Sequence, residues 1–117
     1  MFLQLNHQRL DAYQLSRAFV KECYLAIKPF PPDERFALIQ QIKRAAASVC
    51  LNIAEGSSRK SPLERRRFYE IARGSLIEVD AAFDLASDLG YCRKEELKNL
   101  EMIAIRVFAI LSKLIQT

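Results

Sequence analysis

Apolar residues recur at helical spacing along most of the chain. In the second predicted helix Ile39, Ile42, Ala46, Val49 and Ile53 follow steps of three and four, a narrow seam of the kind that packs helix against helix. Gln41, Arg44, Ser48, Asn52, Glu55 and Arg59 keep the same steps on another side, and they lack the Lys/Glu mixture of an ordinary solvated face. The pattern predicts a helix that holds its own bundle with one face and presents an ordered polar stripe with another. Gln41, Ser48, Asn52 and Glu55 of that stripe are expected to be mostly buried, between subunits or against the third helix.

The neighbouring patterns are also helical. A first helix is predicted near 10–27, with Ala12, Ser16, Phe19, Cys23 and Ala26 or Ile27 facing inward and Asn6 as an N-cap. Pro29, Pro31 and Pro32 end it, because proline lacks an amide donor and pushes the preceding residue out of the helical region. Phe30, among these prolines, is expected to lid the end of the core. The second helix is predicted over 33–58, opening on Asp33 and Glu34 at the positive end of its dipole. Ser61-Pro62-Leu63-Glu64 reads as a capping box with proline at the first helical position. It opens a third helix over 62–89 whose seam is Phe68, Ala72, Ser75, Val79, Ala82 and Ala86, and Gly90 closes it. Gly74 in its middle suggests close packing, since an interior glycine costs ~1 kcal/mol relative to alanine. A fourth helix over 94–115 carries Leu97, Leu100, Ala104, Val107, Leu111 and Leu114 in register, and Ile103, Ile105, Phe108, Ile110 and Ile115 widen its apolar face. That face exceeds what one side of a small bundle buries, which points to contact with another copy. Short connections make neighbouring helices antiparallel. The expected architecture is an all-α, up-down-up-down four-helix bundle in a single domain over 1–117 that assembles into a homo-oligomeric ring.

Composition agrees with one soluble domain: 117 residues, 50% hydrophobic and 27% charged. Neither a signal sequence nor a membrane span is evident, so a cytoplasmic location is expected. Cys23, Cys50 and Cys92 are odd in number, and none has metal-ligand spacing. Reduced and buried thiols follow. The net charge of +4 is unevenly placed. Between Lys43 and Arg73 stand eight basic residues against three acids, whereas Leu76 to Glu101 holds seven acids against Arg93, Lys94 and Lys98.

The stretches FPPDERFALIQQIKRAAASVCLNIAEGSSR and RRFYEIARGSLIEVDAAFDLASDLGY resemble the four-helix-bundle family typified by the 23S rRNA intervening-sequence proteins. The carrying positions are Phe30-Pro31, Glu34 to Phe36, Gln41 to Ala45, Ser48, the Asn52 to Gly56 NIAEG motif, Phe68, and Gly74-Ser75 with Glu78. Leu10 to Leu15 is similar to the opening of many members. The match covers residues 10 to 114. Lys43 departs from an arginine, and Cys50 stands where many members have proline, which implies a less kinked second helix. The resemblance implies a homo-oligomeric ring, commonly a pentamer, with no established enzymatic activity. Its motif and interface positions fall on Gln41, Arg44, Ser48, Asn52, Glu55, Gly56, Gly74 and Glu78.

Three functional classes follow from these residues. For an enzyme they are poor: His7 is the sole histidine, no glycine-rich phosphate loop is present, and no cofactor or metal is expected. Glu55 and Glu78 are the carboxylates that could face each other across the second and third helices. Their ordinary role would be to pair with Arg44, Arg59 or Arg73, or to cap a neighbour's amide. For nucleic acid, Arg59, Lys60, Arg65, Arg66 and Arg67 cluster at the corner between these helices, with Tyr69 beside them, where RNA or DNA phosphates could bind. The third class, a non-enzymatic scaffold that binds copies of itself, takes its support from the polar stripe, the surplus apolar surface and the separated charge.

Overall fold

The computed structural model describes residues 2–5 and 10–116. Four α-helices carry the chain: α1 (Asp11–Ala26), α2 (Leu38–Ser57), α3 (Pro62–Asp88) and α4 (Lys98–Gln116), with 3-10 turns at Pro32–Glu34 and Lys94–Leu97. No strand occurs among the described residues. α2 packs against α1 and α3, and α4 packs against the same two, so each helix has two main neighbours in a helical bundle. No described helix is long and apolar enough to cross a membrane. Asn6 and His7 lie outside the described residues.

The seam predicted for the second helix is the centre of the core. Ile42, Ala46, Val49 and Ile53 are fully enclosed, with Ile39 half-buried beside them. Phe19 and Cys23 of α1, Val79 and Ala86 of α3, and Val107 and Leu111 of α4 complete the interior. Each large aliphatic or aromatic side chain removed from water in this way stabilises the fold by ~1.5–3 kcal/mol. Phe30 does lid one end. It meets Phe83 edge-on at 6.2 Å between centroids and Tyr91 at 5.5 Å.

Two helix starts differ from the sequence reading. α2 begins at Leu38 rather than near residue 33, because Pro32–Glu34 forms a 3-10 turn and Ala37, at φ −123° and ψ −103°, breaks the helical backbone. Phe36 in that turn is exposed, so no core contact draws the segment into an α-helix. Lys94–Leu97 is likewise a 3-10 turn, and α4 proper starts at Lys98. The capping box of α3 is half made: Ser61 Oγ accepts from Glu64 N at 3.4 Å, and the reciprocal bond from the Glu64 side chain is not formed.

The α3 terminus follows its sequence closely. Gly90 takes φ +79°, and Gly90 N and Tyr91 N donate to Ser87 O and Ala86 O at 3.0 and 2.9 Å. This pair of bonds satisfies carbonyls the helix would otherwise leave open. The seam of α3 is shifted by one residue at its start, since Tyr69 is buried and Phe68 only half-buried.

Candidate functional site

The polar stripe of α2 meets α3 over part of its length. Ser48 Oγ lies 2.8 Å from Ser75 Oγ, and Asn52 Nδ2 donates to Ser48 O and Ser48 Oγ at 2.9 and 3.0 Å. Gln41 Nε2 donates to a Glu78 carboxylate oxygen, and Arg44 Nη2 donates to Gln41 Oε1 at 3.2 Å. Gln41, Ser48 and Asn52 are half-buried, whereas Arg44, Glu55, Arg59 and Glu78 are exposed. Within one copy Gln41, Ser48 and Asn52 are thus partly covered, and Glu55 is not. No buried side-chain nitrogen or oxygen among the described residues lacks a partner.

Two glycines on these helices differ sharply. Gly56 is buried, and a methyl group there would stand 2.9 Å from Tyr69 Cε1 and 3.1 Å from Phe68 Cβ. The Tyr69 ring thus lies flush against the α2 backbone, and burial pushes its phenol pKa up, with Arg65 opposing that shift. Gly74 is exposed, and nothing lies within 4 Å of where its Cβ would be. Close packing inside the subunit, expected at this residue, is absent because its side of α3 faces away from α2 and α4.

Glu55 and Glu78 are not brought together. Glu78 pairs with Gln41, fourteen residues from Glu55 along α2, which is ~21 Å at 1.5 Å per residue. Glu55 instead forms a salt bridge with Arg59 at 2.9 Å, both side chains well exposed. Among the described residues no group of three or more His, Cys, Asp and Glu could hold a metal ion. The thiols are free, Cys23 and Cys92 buried and Cys50 half-buried. Burial, aided by Glu22, raises the Cys23 pKa to about 12.

At the basic corner the five cations do different things. Arg65 Nη1 donates to Arg59 O and Lys60 O, both at 2.8 Å, and so ties the connector to α3. Arg59 lies 4.8 Å above the Phe68 ring while holding Glu55. Lys60 and Arg67 are exposed, and Arg66 is half-buried.

One concave feature escaped the sequence reading. Where the Lys94–Leu97 turn meets α3, a cavity of about 190 Å³ opens between α3 and α4. Phe19, Leu76, Val79, Phe83 and Leu100 line its floor, and Asp80, Asp84, Glu101 and Lys94 its rim. The acidic excess of 76–101 signals the rim, but the gap depends on how α4 leans on α3. Apolar side chains beyond the core also stand open on these two helices: Ile77 (53% exposed) and Leu85 (55%) on α3, Met102 (63%) and Ile105 (61%) on α4.

A four-helix arrangement is what the family resemblance implies, and the family profile for the 23S rRNA-intervening sequence protein matches residues 8–113. The chain belongs to this family. Among solved structures it is similar to the crystal structure of a protein of unknown function from the S23 ribosomal protein family of Bacteroides thetaiotaomicron VPI-5482. The TM-score is 0.80 at 20% sequence identity, over 91% of this chain and 96% of that one. At that identity the likeness is one of fold. No curated protein matches the chain.

Proposed function

We propose that this family member is a non-enzymatic scaffold that assembles with copies of itself, in a ring that the family resemblance suggests is a pentamer. Within each copy the helices run up, down, up, down. Contacts that advance along α2 retreat along α3, from Gln41 with Glu78 through Ser48 with Ser75 to Gly56 with Tyr69, which supports an antiparallel pair. Arg73 with Ser112, at 3.3 Å, and the shared walls of the cavity support the same relation for α3 and α4.

The observation that carries the reading is the apolar surface left open on α3 and α4 by Ile77, Leu85, Met102 and Ile105. Open apolar side chains on adjoining helices mark a surface made for another protein surface, and free thiols suit a cytoplasmic setting. Met102→Asp with Ile105→Asp tests it. Both residues already face outward, so the helical circular dichroism spectrum should persist while the sedimenting mass falls. An unchanged mass would remove this surface from the assembly.

A second reading, weak binding of RNA or DNA, rests on Lys60, Arg66 and Arg67, for whose side chains no hydrogen bond or ion pair occurs among the described residues. Repetition of such a corner around an oligomer would raise avidity without new contacts.

A further inference from the structure

We infer that the acidic-rimmed groove between α3 and α4 receives a basic ridge from a second copy, formed by Lys21, Tyr24 and Leu25 of α1 and Lys28 of the turn after it, with Lys43 of α2 beside them. The inference rests on the self-assembling reading above and names the two surfaces that would meet.

The groove joins an apolar floor to a rim of three carboxylates, Asp80, Asp84 and Glu101, against the single cation Lys94. Its natural occupant combines apolar bulk with positive charge. The outer face of α1 supplies both. Lys21, Tyr24 (42% exposed) and Leu25 are exposed within one turn of α1, and Lys28 in the turn that follows is exposed as well. Lys43 Nζ sits 5.2 Å from the Tyr24 ring centroid, which adds a third ammonium to the ridge. The acid nearest in sequence, Glu22, is half-buried on the adjoining face of α1. Long lysine stems can cover apolar surface while their charged heads stay at a polar rim.

Within one copy the two surfaces cannot meet. α1 packs against α2 and α4, as α3 does, so α1 and α3 are diagonal, and the outer face of α1 looks away from the α3 and α4 groove. They are nevertheless at one level along the bundle. Phe30, just after α1, packs against Phe83 near the end of α3 and Tyr91 just beyond it, and Phe19 of α1 reaches the groove floor. The last two turns of α1 are therefore level with the segment that carries Asp80 and Asp84, on the opposite side of the bundle. Two different patches joining neighbour to neighbour make a heterologous interface, which closes into a ring when each step is a pure rotation. Equal height on opposite sides of the bundle is the condition for rotation without a climb.

Reversal of charge on each surface, alone and together, tests the pairing. Asp80→Lys with Asp84→Lys places positive charge on the groove, and Lys21→Glu with Lys28→Glu places negative charge on the ridge. All four residues are exposed. Native mass spectrometry of the full chain should show each double variant dissociated at least tenfold more readily than the unaltered protein. The chain carrying all four substitutions should regain the oligomer, because every groove again meets a ridge of opposite sign in a ring of any number. That recovery also excludes misfolding as the cause of the earlier losses. If either double variant keeps the full mass, or the fourfold variant stays dissociated, the pairing is overturned while self-assembly stands. If the unaltered protein is itself a monomer, the self-assembling reading fails, and the pairing with it.

Discussion

Ser48 of α2 and Ser75 of α3 share a hydrogen bond of 2.8 Å at the most closely packed helix pair of the molecule. Asn52 donates to the same Ser48 hydroxyl at 3.0 Å, so that oxygen can accept from Asn52 while its own proton goes to Ser75. Alanines 45 to 47 let the helices approach until two short serine side chains touch. The Ser48 and Asn52 positions of the family motif thus form one half-buried polar contact.

Asn52→Ala should lower stability by ~1 kcal/mol, since it removes the donor to Ser48 O and Ser48 Oγ in a half-buried seam. Ser48→Ala and Ser75→Ala should each destabilise, and the double variant by less than the sum, because the two share one bond. Urea titrations of the four proteins measure that coupling, and strict additivity would contradict the contact.

Gly56→Ala and Gly74→Ala should have opposite signs. At Gly56 a methyl group meets the Tyr69 ring at 2.9 Å, and overpacking of ~1–3 kcal/mol outweighs the ~1 kcal/mol that alanine adds to a helix. At Gly74 nothing stands in the way, so α3 itself gains that ~1 kcal/mol. Thermal melts should move down for the first. For the second they should move up, unless a neighbouring copy packs on Gly74, in which case the native mass drops instead.

The Cys23 thiol, held at about 12 by burial, should resist alkylation at pH 8, whereas half-buried Cys50 reacts first. An ordinary thiol titrates at 9.0, so above that pH the unfolded chain releases a proton that the folded one keeps. Stability from this group is fully present below pH 9 and declines as pH rises toward 12. Mass mapping of alkylated peptides and melts across that range check both statements. Rapid labelling of Cys23 in the native protein would contradict its burial.

For nucleic acid, the substitutions to make are Lys60, Arg66 and Arg67 to Gln, leaving Arg65, which holds the connector through Arg59 O and Lys60 O. Fluorescence anisotropy at low salt should then show weaker binding, and a salt slope shallower by ~0.7–0.9 for each phosphate that is no longer neutralised. Absence of binding by the unaltered protein would end this second reading.

Helix positions and the α2 seam are legible in the sequence because Ile42, Ala46, Val49 and Ile53 repeat at the helical period, and because Ser61-Pro62 and Gly90 act within one turn of backbone. The start of α2 is not legible, since acidic residues after a proline suit a 3-10 turn as well as an α-helix, and only the Ala37 backbone decides. Tyr69 and Phe68 are adjacent aromatics, and the choice between them depends on the space Gly56 leaves. Glu55 and Glu78 share a family pattern without sharing a place, because motif order says nothing about register across a helix pair. The groove and the basic ridge of α1 depend on the tilt of α4 and on which faces lie at one height, relations between helices that periodicity along one helix does not encode.

Native mass spectrometry of the unaltered protein at low micromolar concentration decides whether the chain assembles with copies of itself. A homo-oligomer at an integer multiple of the 13.5 kDa chain, retained on dilution, is the predicted result. A single species at 13.5 kDa across the concentration range would contradict it.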